Sequence, residues 1–236
     1  MQIPPQSMEI EKIYSQHQRE NSHSIAVCSA NRGEGVTSVA LALAQRNLLA
    51  GHSTLVVDLN LYRPALNTLL LLDEPAFETG VFDTPRIVTV RKHPVALIGI
   101  TAPSHRDLVM KLRNPGVLEE LIIEWQKSFD IIIFDTSPVN SANASNIPAE
   151  RVAEACDGCL MVVLAGSTTE SMVFTAIEKL RCTNAVLLGC VLNDHCNPSL
   201  KSELLREARR LESLCSGLAK RIGNWIRNSH LLSLEI

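Results

Sequence analysis

A glycine-containing loop at residues 31–35 has the residue types and spacing best suited to chemistry. It lies between a Val- and Ile-containing run at 25–29 and a run of helical period at 36–50, so the sequence predicts a strand, a tight loop and a helix. Gly33 and Gly35 permit a backbone that turns its N–H groups inward, and the start of the helix adds positive potential. The loop is therefore a candidate phosphate-binding site.

This loop departs at two positions from the phosphate-binding pattern G-x-x-x-x-G-K-[ST]. Ala30 stands where the pattern has its first glycine, and Val36 stands where it has lysine. Thr37 or Ser38 follows at the position that supplies a hydroxyl ligand to Mg²⁺. Taken alone, the loop fits an ordinary strand-to-helix turn as well as it fits a phosphate site.

Two further predicted strands end in an aspartate. Asp58 closes the run LVVD and Asp135 closes the run IIIFD, so each carboxylate lies at the edge where open α/β sheets bind ligands. An aspartate there can hold Mg²⁺, directly or through water, against bound phosphates. Either one in isolation is better explained as a cap of the next turn or helix. Together with the loop they predict a nucleotide site in which Thr37, Asp58 and Asp135 hold the metal and both aspartates are candidate catalytic groups.

The elements that must position these groups alternate along the chain. Runs rich in Val and Ile are interleaved with longer segments of helical period. Strands are predicted at 25–29, 54–58, 95–100, 130–135, 159–165 and 185–193, and helices at 8–18, 36–50, 107–128, 149–156 and 169–182. Near-continuous apolar strands such as IIIF must be covered on both faces. The sequence therefore predicts an α/β fold with a doubly wound, mostly parallel sheet.

The chain is expected to have three parts. A polar N-terminal arm spans 1–23, an α/β domain spans 24–197 and a C-terminal helical segment spans 198–236. Residues 73–94 contain three prolines and little periodicity, which predicts a surface loop. For the C-terminal segment, packing on the sheet is favoured, and contact of the region around Trp225 with lipid or a partner is the alternative.

Composition and charge exclude several classes of protein. With 236 residues and 46% hydrophobic residues the chain can bury a full core, which excludes a disordered protein. The net charge of −3 gives no overall attraction to nucleic acid, and the apolar runs are too short for a membrane-spanning helix. We expect a soluble or at most peripheral protein that binds no nucleic acid.

Cysteine usage and the start of the chain indicate the compartment. The seven cysteines have no repeated spacing, and the first residues lack the features of a secretory signal, which together predict the reducing cytosol. Cys156 and Cys159 form a lone C-x-x-C, and because zinc needs four convergent ligands, buried core cysteines are the favoured interpretation.

The ordered motifs GEG-x-[TS]-[TS], D-x-x-x-x-R-P, D-T-x-P-V, CLMVVLAGSTT and GCVLN resemble the bacterial tyrosine kinase family over about residues 24–195. These kinases are the cytoplasmic P-loop domains of polysaccharide co-polymerases and are related to ATPases that position septa and plasmids. The resemblance implies a P-loop fold of the ParA/MinD-like type that binds ATP and Mg²⁺. It implies that residues 33–38 form the Walker A loop, that residues 58–63 form an additional family motif, and that Asp135 is the Walker B carboxylate. The nucleotide-binding residues it implies are Gly33, Glu34, Gly35, Val36, Thr37, Ser38, Arg63 and Asn193, the last of them near the base.

The departures from the family pattern concern catalysis. Val36 replaces lysine, Asn60 replaces the second acid of D-x-D, and the end of the chain has no tyrosine cluster. A charge-assisted lysine contact is worth about 1.5–3 kcal/mol, so its absence predicts roughly ten- to a hundredfold weaker nucleotide binding. Asn60 cannot take a proton as an aspartate can. Arg32 is the nearest cation in the loop and could partly replace the missing lysine. A solvated Arg32 side chain that does not contact phosphate is the favoured interpretation.

The leading hypothesis is a catalytically impaired, kinase-like protein of exopolysaccharide or capsule biosynthesis, a pseudokinase or weak ATPase that binds ATP weakly or not at all. It would act as cytoplasmic regulatory partner of a separate membrane-embedded polysaccharide co-polymerase or chain-length determinant protein, at the inner face of the cell membrane. The first alternative is an active ATPase or tyrosine autokinase that uses Asp58, Asp135 and Thr37. The second is a ParA/MinD-like positioning ATPase, which Asn31 disfavours because that type has a second lysine there. A homo-oligomer is left open.

Overall fold

Seven strands form one sheet in the computed structural model of the chain. The structure describes residues 3–66, 86–89, 96–103, 105–141, 143–195, 204, 208 and 224–226. The strands are β1 (Ser24–Ser29), β2 (Thr54–Leu59), β3 (Arg86–Thr89), β4 (Ala96–Ile100), β5 (Ile131–Thr136), β6 (Gly158–Leu164) and β7 (Leu187–Asn193). Their order is β3-β4-β2-β5-β1-β6-β7, and every described pairing is parallel except the antiparallel pairing of β3 with β4. The predicted, mostly parallel α/β sheet is confirmed.

The helices pack on both faces of this sheet. They are α1 (Met8–Arg19), α2 (Val36–Leu49), α3 (Arg106–Leu112), α4 (Val117–Trp125), α5 (Ala149–Ala155) and α6 (Glu170–Cys182), with a short 3₁₀ helix at Val139–Ser141. The prediction of one helix over 107–128 is wrong. Pro115 disfavours helical backbone at the residue before it, and Gly116 takes a left-handed φ of 88°, so the chain turns between α3 and α4.

The segment 73–94 differs in part from the predicted surface loop. Within it, β3 pairs with β4 in the register Arg86 to Gly99 through Thr89 to Ala96. The paired residues are only 7 to 13 positions apart in the sequence, but the four-residue strand RIVT does not alternate apolar and polar residues, so periodicity carries little signal for it. The rest of this predicted loop lies outside the described residues.

Successive residues of the central strands belong alternately to two apolar clusters, one on each face of the sheet. In β1, Ile25 and Val27 join a cluster built with α2, whereas Ala26 and Cys28 join a cluster built with α3, α4, α5 and α6. Each fully buried Val, Leu or Ile side chain contributes about 1.5–3 kcal/mol. Burial on both faces is why these strands read as continuous apolar runs.

The polar start of the chain forms helix α1, which packs on α2. Ile13 and Tyr14 pack against the apolar cluster of α2, and the Arg46 guanidinium donates two hydrogen bonds to the Glu11 carboxylate at 2.5 and 2.9 Å. The same guanidinium lies 3.9 Å from the centre of the Tyr14 ring. His17 is fully buried, and burial lowers its pKa. The segment therefore stabilises the helix that begins at the glycine loop.

The chain divides into two compact units, residues 1–193 and 194–236. In the second unit, Leu204, Ala208 and residues 224–226 are helical, with Ile226 buried and Trp225 exposed. The remainder of the predicted C-terminal helix lies outside the described residues, and the predicted boundaries 24–197 and 198–236 stay predictions. Across the described residues, no helix has the length and apolar character needed to cross a membrane.

Two cysteines of the C-x-x-C pair, Cys156 and Cys159, are buried. Burial raises the pKa of Cys159 to about 12 and the pKa of Cys156 well above its usual value, so both thiols stay protonated. In the part of the chain that is described, no group of three or more His, Cys, Asp or Glu side chains is placed to hold a metal ion. The pair therefore belongs to the core.

Candidate nucleotide-binding site

The glycine loop occupies residues 30–35, between the end of β1 and the start of α2. Gly33 and Gly35 have φ values of 78° and 101°, in the left-handed region that favours glycine. Gly35 is the residue before α2, and its carbonyl accepts the N–H of Val39 at 3.1 Å, which starts the helix. The predicted order of strand, loop and helix is what the structure has.

Glu34 turns its side chain into the protein and is only 2% exposed. One carboxylate oxygen accepts the Ala30 N–H at 3.0 Å. The other accepts the hydroxyl of Thr168 at 2.6 Å and the side-chain amide of Asn31 at 3.3 Å. Glu34 therefore binds the back of the loop, and the nucleotide contact that the resemblance implies for it stays a prediction.

Asn193, at the end of β7, lies against the same loop. Its side-chain amide donates to the Glu34 carbonyl at 2.9 Å. A Cβ atom at Gly35 would come within 2.5 Å of the Asn193 amide nitrogen. This close approach, together with the left-handed φ, requires glycine at position 35. The role of Asn193 near a base stays a prediction.

Thr37 and Asp135 meet beside the loop. Thr37 lies in the first turn of α2, and its hydroxyl donates to the carboxylate of Asp135, at the end of β5, at 2.5 Å. Asp135 is 1% exposed. The structure thus brings together the hydroxyl and one of the two carboxylates that the sequence assigned to the metal. Ser38, the next residue of α2, is half-buried.

Asp58 is the neighbour of Asp135 in the register of β2 with β5. Both of its carboxylate oxygens accept backbone hydrogen bonds, one from Asn60 at 2.9 Å and the other from Ala65 and Leu66 at 2.8 and 3.0 Å. The side chain has no exposed surface. In this structure Asp58 therefore closes the turn that follows β2, as an aspartate cap does, and its predicted metal contact stays a prediction.

The two aspartates have perturbed acidities. Burial raises the pKa of Asp135 well above its usual value, and the nearby charge of Asp58 raises it further. Burial also raises the pKa of Asp58, although its three backbone N–H donors oppose the shift. Two carboxylates this close in a buried site cannot both ionise easily, so at neutral pH the pair retains a proton that a divalent cation would displace.

Asn60 completes this group of oxygen atoms. Its amide nitrogen is 3.5 Å from one Asp135 oxygen, and its own carbonyl oxygen is buried with no hydrogen-bond partner among the described residues. A buried oxygen left unsatisfied is one that a hydrated cation would satisfy. Hydroxyl, carboxylate and amide oxygens are the ligands Mg²⁺ prefers, so Thr37, Asp135 and Asn60 fit a Mg²⁺ site.

No family model matches the chain. The chain is 26% identical to the tyrosine-protein kinase YwqD of Bacillus subtilis over 177 residues, which cover 72% of this chain and 71% of YwqD. It is 27% identical to the succinoglycan biosynthesis transport protein ExoP of Rhizobium meliloti over 181 residues, which cover 73% of this chain and 22% of ExoP. The chain is related to the bacterial tyrosine kinases.

Solved structures of these kinases and of MinD share the fold. The kinase domain of the Escherichia coli tyrosine kinase ETK gives a TM-score of 0.63 at 19% identity, covering 78% of this chain and 73% of that domain. MinD of Pyrococcus horikoshii, complexed with Mg-ADP, gives a TM-score of 0.58 at 17% identity, covering 75% of this chain and 72% of MinD. The fold is that of ParA/MinD-like P-loop proteins.

In this kinase-related fold, Val36, which replaces the family's lysine, is buried, and the nearest loop cation, Arg32, lies on an aromatic ring. Val36 is 6% exposed and packs in the apolar cluster of α2. The Arg32 guanidinium lies 3.7 Å from the centre of the Tyr62 ring. The Tyr62 hydroxyl donates to the Ser141 carbonyl at 2.5 Å. Arg63, which the resemblance places in the site, is exposed.

Sequence reasoning missed Thr168 and Tyr62. Thr168 follows β6, and its partner Glu34 follows β1, so the contact depends on β1 and β6 being neighbours in the sheet. The motif containing Thr168 was visible in the sequence, but the order of the strands was not. A hydroxyl residue shortly after a strand end is the available signal, and it becomes specific only once the strand order is known.

Proposed function

We propose that this chain is a kinase-like nucleotide-binding protein of exopolysaccharide or capsule biosynthesis whose catalytic step is impaired. It binds ATP with Mg²⁺ at the glycine loop and regulates a partner, without efficient phosphate transfer. The pathway is supported by the relationship to ExoP, which is a succinoglycan biosynthesis transport protein. The observation that carries nucleotide binding is the hydrogen bond between Thr37 and Asp135 beside a loop with two left-handed glycines.

The loop and the start of α2 suit the phosphates. Inward-facing N–H groups and the helix N-terminus attract negative charge without any basic side chain. Thr37, Asp135 and Asn60 would hold Mg²⁺, which neutralises charge on phosphate oxygens when bound. In this arrangement Asp58 lies beside Asp135 on the adjacent strand without contacting the metal, because its own oxygens accept backbone N–H groups.

Impaired catalysis is supported by three features. Val36 places an apolar side chain where the family has a phosphate-binding lysine, which removes stabilisation from the transition state. Asn60 supplies no carboxylate to accept a proton from a hydroxyl. The chain has two tyrosines, and both of their hydroxyl groups are hydrogen-bonded within the fold: Tyr14 to the His52 ring and Tyr62 to the Ser141 carbonyl. Neither hydroxyl is therefore a free acceptor for phosphate.

Calorimetric titration with ATP, with and without Mg²⁺, tests this function. We expect Mg²⁺-dependent binding by the wild-type chain, and loss of the Mg²⁺ dependence in Asp135→Asn with ATP binding retained. Incubation with labelled ATP should give little or no phosphotyrosine. Robust phosphotyrosine would show an active tyrosine kinase instead, and absence of ATP binding under both conditions would exclude a nucleotide-dependent role.

The proposed partner is a membrane-embedded co-polymerase or chain-length determinant protein, which would hold the chain at the inner face of the cell membrane. The support is that this chain matches 22% of ExoP, so the partner would correspond to the part of ExoP that is not matched. Co-expression with such a partner should move the chain into the membrane fraction. An unchanged distribution would contradict the proposed partnership.

A further inference from the structure

Glu34 places a carboxylate directly behind a loop that is proposed to bind phosphate. Its side chain is 2% exposed. Three groups donate hydrogen bonds to the carboxylate: the Ala30 N–H, the Asn31 amide and the Thr168 hydroxyl. A negative charge at this place repels a phosphate, and burial reduces the screening of that repulsion. Electrostatics alone therefore gives no reason for an acid here.

The contacts of Glu34 close the loop on itself. Its carboxylate accepts the N–H of Ala30, four residues earlier, so the first and the fifth residue of the loop are joined. The backbone carbonyl of Glu34 accepts the side-chain amide of Asn193 from the end of β7. Side chain and main chain of one residue thus hold the loop from two directions.

Thr168 directs a hydrogen bond at this carboxylate. The Thr168 hydroxyl accepts the N–H of Leu164 at 3.3 Å and donates its proton to Glu34 at 2.6 Å. Thr168 belongs to the turn after β6, and β6 pairs with β1, the strand that enters the loop. The hydroxyl therefore ties the loop after one strand to the turn after the neighbouring strand.

We infer that Glu34 is a positioning residue of the phosphate loop: held by Thr168, its carboxylate binds the Ala30 N–H and fixes residues 30–35 in the shape that presents the remaining loop N–H groups to a nucleotide. The inference rests on the proposed nucleotide binding by this loop. On this inference Glu34 favours ATP binding, although its negative charge by itself would oppose it. Repulsion predicts that neutralising Glu34 strengthens ATP binding, whereas positioning predicts that it weakens ATP binding.

The pair Thr168→Val and Thr168→Ser separates geometry from charge. Valine matches the shape of threonine without the hydroxyl, serine keeps the hydroxyl, and neither change alters the net charge. We expect Thr168→Val to weaken Mg-ATP binding about tenfold, the loss typical of one hydrogen bond to a charged group, and Thr168→Ser to restore it. Glu34→Gln, studied in parallel, should bind more weakly than wild type although a negative charge has been removed.

Amide hydrogen exchange in the nucleotide-free chain gives a second readout that does not require nucleotide binding. The Ala30 amide should exchange faster in Thr168→Val than in Thr168→Ser or wild type. Equal exchange in the two threonine variants would overturn the inference, as would tighter Mg-ATP binding by Glu34→Gln. If wild type binds no Mg-ATP, the proposed function fails, and the exchange comparison still decides whether Glu34 and Thr168 fix the loop.

Discussion

The hydroxyl of Thr37 lies 2.5 Å from a carboxylate oxygen of Asp135, and this hydrogen bond joins the first turn of α2 to the end of β5. Two of the groups assigned to the metal therefore bind each other in the free chain. Because burial and the Asp58 charge raise the pKa of Asp135, a cation entering this site competes with a proton. The same competition makes the stability of the free chain depend on pH.

We expect the contribution of Asp135 to the stability of the free chain to fall as the pH rises from about 4 to about 8, because over this range the folded state holds a proton on Asp135 that the unfolded state has released. One such proton corresponds to a slope of up to about 1.4 kcal/mol per pH unit. In Asp135→Asn the amide mimics the protonated acid, so the variant should exceed wild type in stability near pH 8, with the difference shrinking toward pH 5. Urea unfolding with a metal chelator measures this, and parallel pH profiles would contradict it.

Asp58→Asn is the matched variant on the neighbouring strand. Both Asp58 oxygens accept backbone N–H groups, and an amide offers only one acceptor oxygen, so a buried donor loses its partner. The expected loss is about 1–3 kcal/mol of unfolding free energy. Removing the Asp58 charge should also move the pH dependence due to Asp135 to lower pH. A gain in stability at neutral pH would show that the turn cap matters less than the buried charge.

Gly35→Ala and Gly33→Ala separate steric conflict from backbone strain. Both positions have left-handed φ, which costs an alanine about 1 kcal/mol. Only at Gly35 would the new Cβ meet Asn193, at 2.5 Å; at Gly33 it would meet no atom within 4 Å. Thermal unfolding should show the larger loss for Gly35→Ala. Measured against Asn193→Ala alone, which itself loses the bond to the Glu34 carbonyl, Gly35→Ala should cost less than it does in wild type, whereas the cost of Gly33→Ala should not change. An equal cost of Gly35→Ala in both backgrounds would contradict the steric account.

Arg32→Ala tests whether the loop arginine compensates for the missing lysine. The guanidinium stacks on Tyr62, an exposed contact worth about 0.5–1 kcal/mol. We expect this stability loss in the wild-type background and none in Tyr62→Leu. The Mg-ATP affinity of Arg32→Ala should stay within about threefold of the wild-type affinity, which corresponds to less than about 0.7 kcal/mol, because Arg32 does not contact the phosphates directly. A tenfold or greater loss of affinity would identify Arg32 as a phosphate ligand.

The meeting of Asp58 and Asp135 at one sheet edge could be anticipated because each ends an apolar run that reads as a parallel strand. Carboxyl ends of parallel strands lie together whatever the strand order, so no long-range information was needed. The register goes further, since it makes the two residues direct neighbours. Their separate roles, one capping a turn and one bonded to Thr37, depend on the local path of residues 60–66 and could not be read from residue types.

Contacts that depend on strand order or on tertiary packing were beyond the sequence. The bond between Glu34 and Thr168 requires β6 beside β1, and the stacking of Arg32 on Tyr62 requires the turn after β2 to approach the loop. The break between α3 and α4 had a local signal in Pro115 and Gly116, but the helical apolar period on either side obscured it. Periodicity reports which face is buried and reports poorly where an element ends.

Val36→Lys tests whether the site lacks only its cation. Val36 begins α2, directly after the loop, and is 6% exposed in an apolar cluster. A lysine there can make a charge-assisted contact with phosphate, so we expect Mg-ATP binding to tighten by about 1.5–3 kcal/mol. Without nucleotide the ammonium has no anion to pair with among Val and Ile side chains, so the melting temperature of the free variant should fall.

Val36→Met is the control for this change, because it gives a long unbranched side chain with no charge. It should leave Mg-ATP affinity unchanged and lower the melting temperature less than Val36→Lys does. Mg-ATP should restore most of the lost stability in the lysine variant, since ligand binding to the folded state alone shifts the unfolding equilibrium. If the lysine variant melts lower and binds Mg-ATP no better than the methionine variant, the loop no longer holds phosphate in the geometry a lysine requires.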